Sequence, residues 1–101
     1  MTRQILIGSA NQLQFGSFIQ IQVQTQIDGV VTSEDYISFD ANKLGVAYDL
    51  ESPNIVVFHF NGTSITVSNA DYNVFSFGGI IKTDPADLAI SVIADIAQYT
   101  T

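Results

Sequence analysis

No cysteine occurs anywhere in the chain, which removes disulfides, thiolate nucleophiles and every cysteine-ligated zinc or iron–sulfur centre. Cations are nearly as scarce: three Lys and Arg stand against ten Asp and Glu, a net charge of −7. That balance is a poor basis for gripping phosphate backbones or anionic lipid, so neither nucleic acid nor membrane is expected as a direct partner. No apolar run approaches the roughly 18–20 residues of a membrane span, and Met1–Gly8 is too short in apolar core for a signal peptide. Cytoplasmic expression or a virion is the expected setting.

What is present describes a packed domain. Apolar residues make up 47% of the chain and charged ones 13%, about half the usual charged share, which argues against disorder. Its 101 residues fit a single domain. The charge is unevenly placed. Gln4 to Ile27 carries none, whereas Asp28, Glu34, Asp35, Asp40, Asp49 and Glu51 stand against Lys43 alone, a net of −5. A second uncharged stretch, with His59 neutral, covers Ser52 to Ala70. Two readings fit these stretches: strands with a wet face of Ser, Thr and Gln, or a neutral polar face lying against another protein, where an amide costs less to desolvate than a charge.

Period-two alternation dominates. Ile5-Leu6-Ile7 reads as a first strand closed by Gly8-Ser9. From Gln12 to Ile27, apolar residues occupy most odd positions and Gln most even ones, the pattern of a half-buried strand. Sixteen residues would be far longer than usual strands, and Gly16-Ser17 is the expected bend, bulge or break. Asp28-Gly29 signals a hairpin. A strict two-residue loop would place Val23 beside Glu34 and Ile21 beside Tyr36. Shifting by one matches Ile21 with Ile37 and Ile19 with Phe39, so that register is expected, with a three-residue loop and Glu34-Asp35 as a candidate bulge. Asp40–Lys43 suits a turn, a helical turn near Ala41–Leu44 is an alternative, and Val46–Leu50 reads as a short strand.

Asn61-Gly62 between alternating residues predicts a type I′ hairpin with Phe60 opposite Thr63, Phe58 opposite Ile65 and Val56 opposite Val67. Val74–Phe77 predicts another strand, with Gly78-Gly79 as a bend or bulge and Ile80-Ile81-Lys82 continuing it. The period then changes. Asp84 is a good N-cap, Pro85 suits the first helical position, and Asp87 favours the positive end of the dipole, giving a helix at about 85–98. Asp87, Ser91, Asp95 and Gln98 share one narrow arc of that helix. Apolar residues fill roughly the remaining two thirds, more than the stripe of about 100° that a surface helix needs.

The expected fold is mainly β (α+β): an antiparallel β-sandwich or open barrel of about six to eight strands, forming a single β-rich domain over residues 1–101 with one C-terminal α-helix.

Sites of chemistry are hard to find in this sequence. His59 is the only histidine and reads as a partly buried strand residue bonded to its neighbours. There is no G-x-S-x-G elbow, no phosphate-cradling glycine motif and no D-x-D-x-D-G calcium spacing in the acidic block. Asn61-Gly62-Thr63 fits the glycosylation pattern but fits the hairpin turn better. Phe15, Phe18, Phe39, Phe58, Phe60, Phe75 and Phe77 lie in apolar patterns and are expected mostly in the core. Tyr36, Tyr48, Tyr72 and Tyr99 could line a sugar or protein site.

No catalytic, metal or cofactor residues are therefore expected, and no enzyme activity. The function expected is a non-enzymatic structural or assembly subunit, such as a small accessory protein of a virus or phage particle. Its partners would be proteins, either its own copies in a homo-oligomer or other structural subunits. The candidate interface is Gln20, Gln22, Gln24 and Gln26 on the strand, with Ile90, Ala94 and Ala97 on the helix. Two alternatives remain open: an acidic inhibitor or nucleic-acid mimic that binds a basic enzyme, and a small-ligand or enzyme domain whose site is assembled from scattered residues.

Overall fold

The computed structural model describes the backbone of residues 1–13, 16–42, 46–52, 54–60 and 62–100, and the side chains of these except 46–51. Among these residues nine strands and one helix follow in order: β1 (Arg3–Ile7), β2 (Asn11–Gln12), β3 (Phe18–Ile27), β4 (Val30–Asp40), β5 (Val46–Ser52), β6 (Ile55–Phe60), β7 (Thr63–Ser68), β8 (Val74–Phe77), β9 (Ile80–Lys82) and α1 (Pro85–Ala97). The fold is mainly β with one C-terminal helix, as the alternation implies. The strands exceed the expected six to eight because two-residue and three-residue pieces, β2 and β9, complete the sheet.

The larger sheet is organised around β3. β4 pairs along its whole length on one edge, so β1 and β2 must share the other, end to end. β8 then joins β1, and β9 joins β8. The β1–β8 pairing is parallel, with Ile5 opposite Phe75, which makes this a mixed sheet rather than a wholly antiparallel one. The smaller sheet is the antiparallel meander β5-β6-β7.

Turn chemistry sets the registers. Ile27 pairs with Val30 across Asp28-Gly29, a two-residue loop with φ of +51° and +83°, the type I′ geometry. Farther along, Ile21 faces Ile37 and Ile19 faces Phe39, the register that core matching requires. Both hold because the ladder shifts at Thr25/Gln26: Thr25 faces Ser33 and Gln26 faces Val31, leaving Thr32 as the extra residue. The three-residue loop is thus corrected to a two-residue turn, and the bulge sits at Thr32 instead of Glu34-Asp35. Gly78-Gly79 is also corrected. It reverses the chain as a second type I′ turn, with φ of +59° and +84°, and pairs Phe77 with Ile80. Gly16, with φ +76°, lies in the β2–β3 loop, so the long alternating run breaks where expected.

The third hairpin has the anticipated pairs, Phe60 with Thr63, Phe58 with Ile65 and Val56 with Val67. Gly62 has φ +91°, while Asn61 lies outside the described residues. So do Phe15 and half of the alternative helical turn near Ala41–Leu44, whereas Val46–Leu50 is in β5 as expected.

One core joins the layers. Ile5, Ile7, Ile19, Ile21, Val23 and Phe39 of the larger sheet cluster with Val56, Phe58, Phe60 and Val67 of the smaller, and with Leu88, Ala89, Val92 and Ile96 of the helix. The Phe39 and Phe60 rings bridge the sheets at 5.3 Å between centroids, and Phe58 stacks on Phe60 at 5.7 Å. Of the other phenylalanines, Phe75 is buried and Phe77 partly so. Phe18 is exposed, because its even position puts it on the glutamine side. The helix begins as its sequence dictates, with the Asp84 carboxylate accepting the Asp87 N–H at 2.8 Å and Pro85 in the first turn. It packs on β5 and β6 of one sheet and on β8 and β9 of the other.

The polar arc of the helix also has a structural task. Asp95 Oδ2 accepts the Ala10 N–H at 2.7 Å, and the Tyr99 hydroxyl donates to the Ala10 carbonyl at 3.2 Å. The helix therefore clamps both sides of the residue at which the chain passes from β1 to β2.

Two stability outcomes follow from this geometry. Gly62→Val meets no steric neighbour but must hold a β-branched side chain at positive φ, so it should cost about 1–3 kcal/mol in chemical denaturation. Asp95→Ala leaves the partly buried Ala10 N–H without its acceptor and should cost about 1–3 kcal/mol. An unchanged denaturation midpoint would count against either account.

Candidate interaction surfaces

Strand alternation puts Gln20, Gln22, Gln24 and Gln26 on the face opposite Ile19, Ile21 and Val23, as expected. They are half-buried, though, because they lie beside β4, and three of the four bond to it. Gln24 Nε2 donates to Glu34 Oε2 at 3.0 Å, and Gln26 Nε2 donates to Gln24 Oε1 at 2.7 Å. Gln20 and Gln22 make longer contacts, 3.4 Å to Ser38 Oγ and 3.4 Å to Tyr36 Oη. The Tyr36 hydroxyl completes the array by donating to Glu34 Oε1 at 2.6 Å. Along Gln20–Gln26 this face is an amide and hydroxyl surface that fixes the Glu34 anion. Near β8 it opens into a groove of about 240 Å³, lined by Leu6, Gly8, Gln22, Gln24, Ser76 and Gly78.

Hydrogen bonds from Tyr36 and then Gln24 hold the Glu34 carboxyl below its usual pKa, and Glu34 in turn raises the Tyr36 hydroxyl. Both groups are open to solvent, so the effect on stability is small. Its sign is set by the shifts. The Glu34 contribution is complete above the ordinary carboxylate range and is lost as pH falls through the lowered value. The Tyr36 contribution is complete below the ordinary tyrosine range and is lost as pH rises through the raised one.

The second candidate surface is on the helix. Leu88, Ala89, Val92 and Ile96 are buried, whereas Ile90, Ala94 and Ala97 face solvent, with Ile90 64% exposed. The polar residues Asp87, Ser91 and Asp95 lie between these two faces. Asp87 also accepts from the Thr83 backbone at 3.2 Å. The helix therefore shows water an apolar strip and turns part of its polar arc toward the chain. β9 lies beside it, and Ile80, opposite Phe77, is exposed on the helix side of the sheet. The glutamine row and the helix strip are separate surfaces.

A third surface escaped the sequence reading. Among the described residues β4 pairs with β3 alone and Val30–Tyr36 are exposed, so an eleven-residue strand ends the larger sheet with a free edge. β7 is likewise an edge of the smaller sheet. Between them runs a groove of about 540 Å³ lined by Asp35, Ile37, Ser38, Phe60, Ser64 and Ile65. The signal was present in Val30-Val31 and Glu34-Asp35. Neighbouring residues of like character cannot face opposite sides of a half-buried strand, so this pattern marks a segment buried on neither face.

Several other polar residues have local partners. His59 is half-buried with its Nδ1 3.1 Å from Ser64 Oγ, as the strand reading expected. Asp28 accepts the Thr2 N–H at 2.7 Å, and Asp40 accepts from Ser17 Oγ at 2.6 Å and from the Asn42 N–H at 2.9 Å. Partial burial, and then the neighbouring Asp71 charge, raise the Tyr72 hydroxyl. Among the described residues, no three His, Cys, Asp or Glu side chains converge as metal ligands would. Comparison with protein-family models, with curated proteins and with solved structures finds no match.

Tyr36→Phe removes the shortest bond to Glu34. A carboxyl-carbon NMR titration should then find the Glu34 pKa moved up toward its ordinary value. An unmoved titration would show that the hydroxyl does not hold the anion.

Proposed function

We propose that this chain is a non-enzymatic subunit of a protein assembly and acts through protein–protein contacts. The observation that carries this reading is the orientation of the helix. Its strip of Ile90, Ala94 and Ala97 faces water, while Asp95 is committed to the Ala10 N–H. A helix on the surface of a self-sufficient monomer is expected to show the reverse, with charge outward and apolar residues inward. Each exposed apolar Å² forgoes about 25 cal/mol that a covering layer would recover. Ile80 on the neighbouring β9 is a further exposed apolar residue on the helix side of the sheet. A stable interface needs about 800 Å² per partner, which the strip and its surroundings must supply together. The glutamine row suits a second contact, since its amides are already half-desolvated and carry no charge. Its partners would be copies of the chain in a homo-oligomer or other structural subunits, as in a virus or phage particle.

Light scattering coupled to size exclusion tests this reading directly. The native chain should run as a defined oligomer, or form a defined complex with a structural partner. Ile90→Lys combined with Ala94→Lys should keep the fold within about 0.5 kcal/mol, because both sites are exposed, yet dissociate the assembly. A native chain that stays monomeric at high concentration and binds no structural partner would overturn the reading. Tight, steeply salt-dependent binding to a basic nucleic-acid enzyme would favour the acidic-mimic alternative instead.

A further inference from the structure

We propose that the free edge of β4 takes up an extended, basic segment of a partner protein as an added strand. This rests on reading the chain as an assembly subunit but concerns a different surface from the helix. Ile27 and Val30 flank a two-residue turn and form a hydrogen-bonded pair, and pairs along an antiparallel ladder alternate between bonded and non-bonded. Carried through the bulge at Thr32, this turns Asp35, Ile37 and Phe39 toward β3, and Glu34, Tyr36 and Ser38 away from it. The opposite edge of β3 agrees. Gln22 C=O accepts the Gly8 N–H at 2.9 Å and Phe18 C=O accepts the Leu13 N–H at 3.0 Å, so even-numbered residues of β3 turn toward β1 and β2. Beyond the bulge their partners on β4, Glu34, Tyr36 and Ser38, are also even-numbered and must turn outward. Among the described residues no strand lies against that edge, so its N–H and C=O groups form a ready template.

Space and charge select the occupant. A strand laid along β4 would have one face over the groove formed by Ile37, Phe60 and Ile65, which can bury alternate apolar side chains. Neither β4 nor β7 carries a cation, while Glu34 and Asp35 sit side by side on β4. Successive strand residues point to opposite faces, so these two carboxylates mark both sides of the edge. A second copy would bring an equally acidic edge and a further net charge of −7. An incoming strand with two adjacent Lys or Arg opposite Glu34 and Asp35, and an apolar residue opposite Ile37, matches every feature. The acidic pair thus rejects self-pairing and admits a basic strand.

The test uses the full isotope-labelled chain and two synthetic octapeptides of alternating Val and Thr, one with two adjacent lysines at its centre and one with two glutamates. At physiological salt, the lysine peptide should shift and protect from exchange the amides of Glu34, Tyr36 and Ser38, and the glutamate peptide should bind at least about tenfold more weakly. Ser38→Pro removes an outward N–H without touching the β3 ladder and should lower affinity by about tenfold or more. Glu34→Gln with Asp35→Asn should do the same while leaving every strand backbone intact, which keeps the test decisive if the proline variant misfolds. The Ile90→Lys/Ala94→Lys variant should bind the lysine peptide as the native chain does. No response at millimolar peptide, shifts confined to another surface, or edge amides already protected in a concentration-dependent way without peptide would each overturn the proposal. The last result would identify a second copy as the occupant. Failure here alongside an intact oligomer refutes the edge site alone, whereas a monomer that binds the lysine peptide refutes the helix-mediated assembly alone.

Discussion

The hydrogen-bonded ladder on both sides of β3 is the constraint to which the larger sheet is referred. β4 fills one edge from Phe18 to Ile27, and β1 and β2 fill the other, so β3 has no freedom to slide. Side chains alternate strictly along it, and a slip of one residue would carry the glutamine row into the core. Two demands meet on this strand. Its turn asks for Ile27 opposite Val30, and its core asks for Ile19 opposite Phe39. One extra residue, Thr32, reconciles them. The contact of Phe39 with Phe60, where the two sheets meet, depends on that single insertion.

The helix is the second organising element, and its surface chemistry is divided three ways. Leu88, Ala89, Val92 and Ile96 close the core, Asp95 with the following Tyr99 fixes Ala10, and Ile90 with its small neighbours is left to solvent. A charged side chain used for internal fastening is no longer available to keep an exposed helix face soluble. The surfaces offered outward then differ in kind: an apolar helix strip, a neutral amide face, and an acidic strand edge. These suit different contacts, and together they would let one small chain sort its neighbours by chemistry.

The sequence made local structure legible wherever one face of an element is buried. The Gln-rich strand, the hairpin at Gly62, the cap at Asp84 and the helix span all follow from periodicity and turn chemistry, because burial imposes the period. The signal faded where two local rules competed. Apolar matching at Ile21 and Ile37 gave the correct far register, but it implied the wrong loop, since no pattern marks Thr32 as the inserted residue. Gly78-Gly79 is equally compatible with a bend and with a reversal, and only the pairing of Phe77 with Ile80 distinguishes them. Nor does the sequence show that Ile5 lies beside Phe75 in a parallel pair, because such pairing leaves no local turn to detect. The candidate surfaces divide similarly. The glutamine row and the helix strip could be named in advance. For β4 the pattern marks only a segment exposed on both faces, because an edge is defined by the strand that fails to lie against it.

The parallel pairing of β1 with β8 also bears on how the chain must assemble itself. Arg3–Ile7 is enclosed between β3 and β8, and its second neighbour comes from residues 74–77. The β3–β4 and β6–β7 hairpins close over short loops and can form early, in microseconds by the pace of isolated hairpins. The seam between Ile5 and Phe75 carries the closure entropy of most of the chain, and contacts of such separation slow folding. During synthesis β1 can dock on β3 long before β8 emerges, so the growing protein passes through a stage in which its innermost strand is, for a time, an outer one.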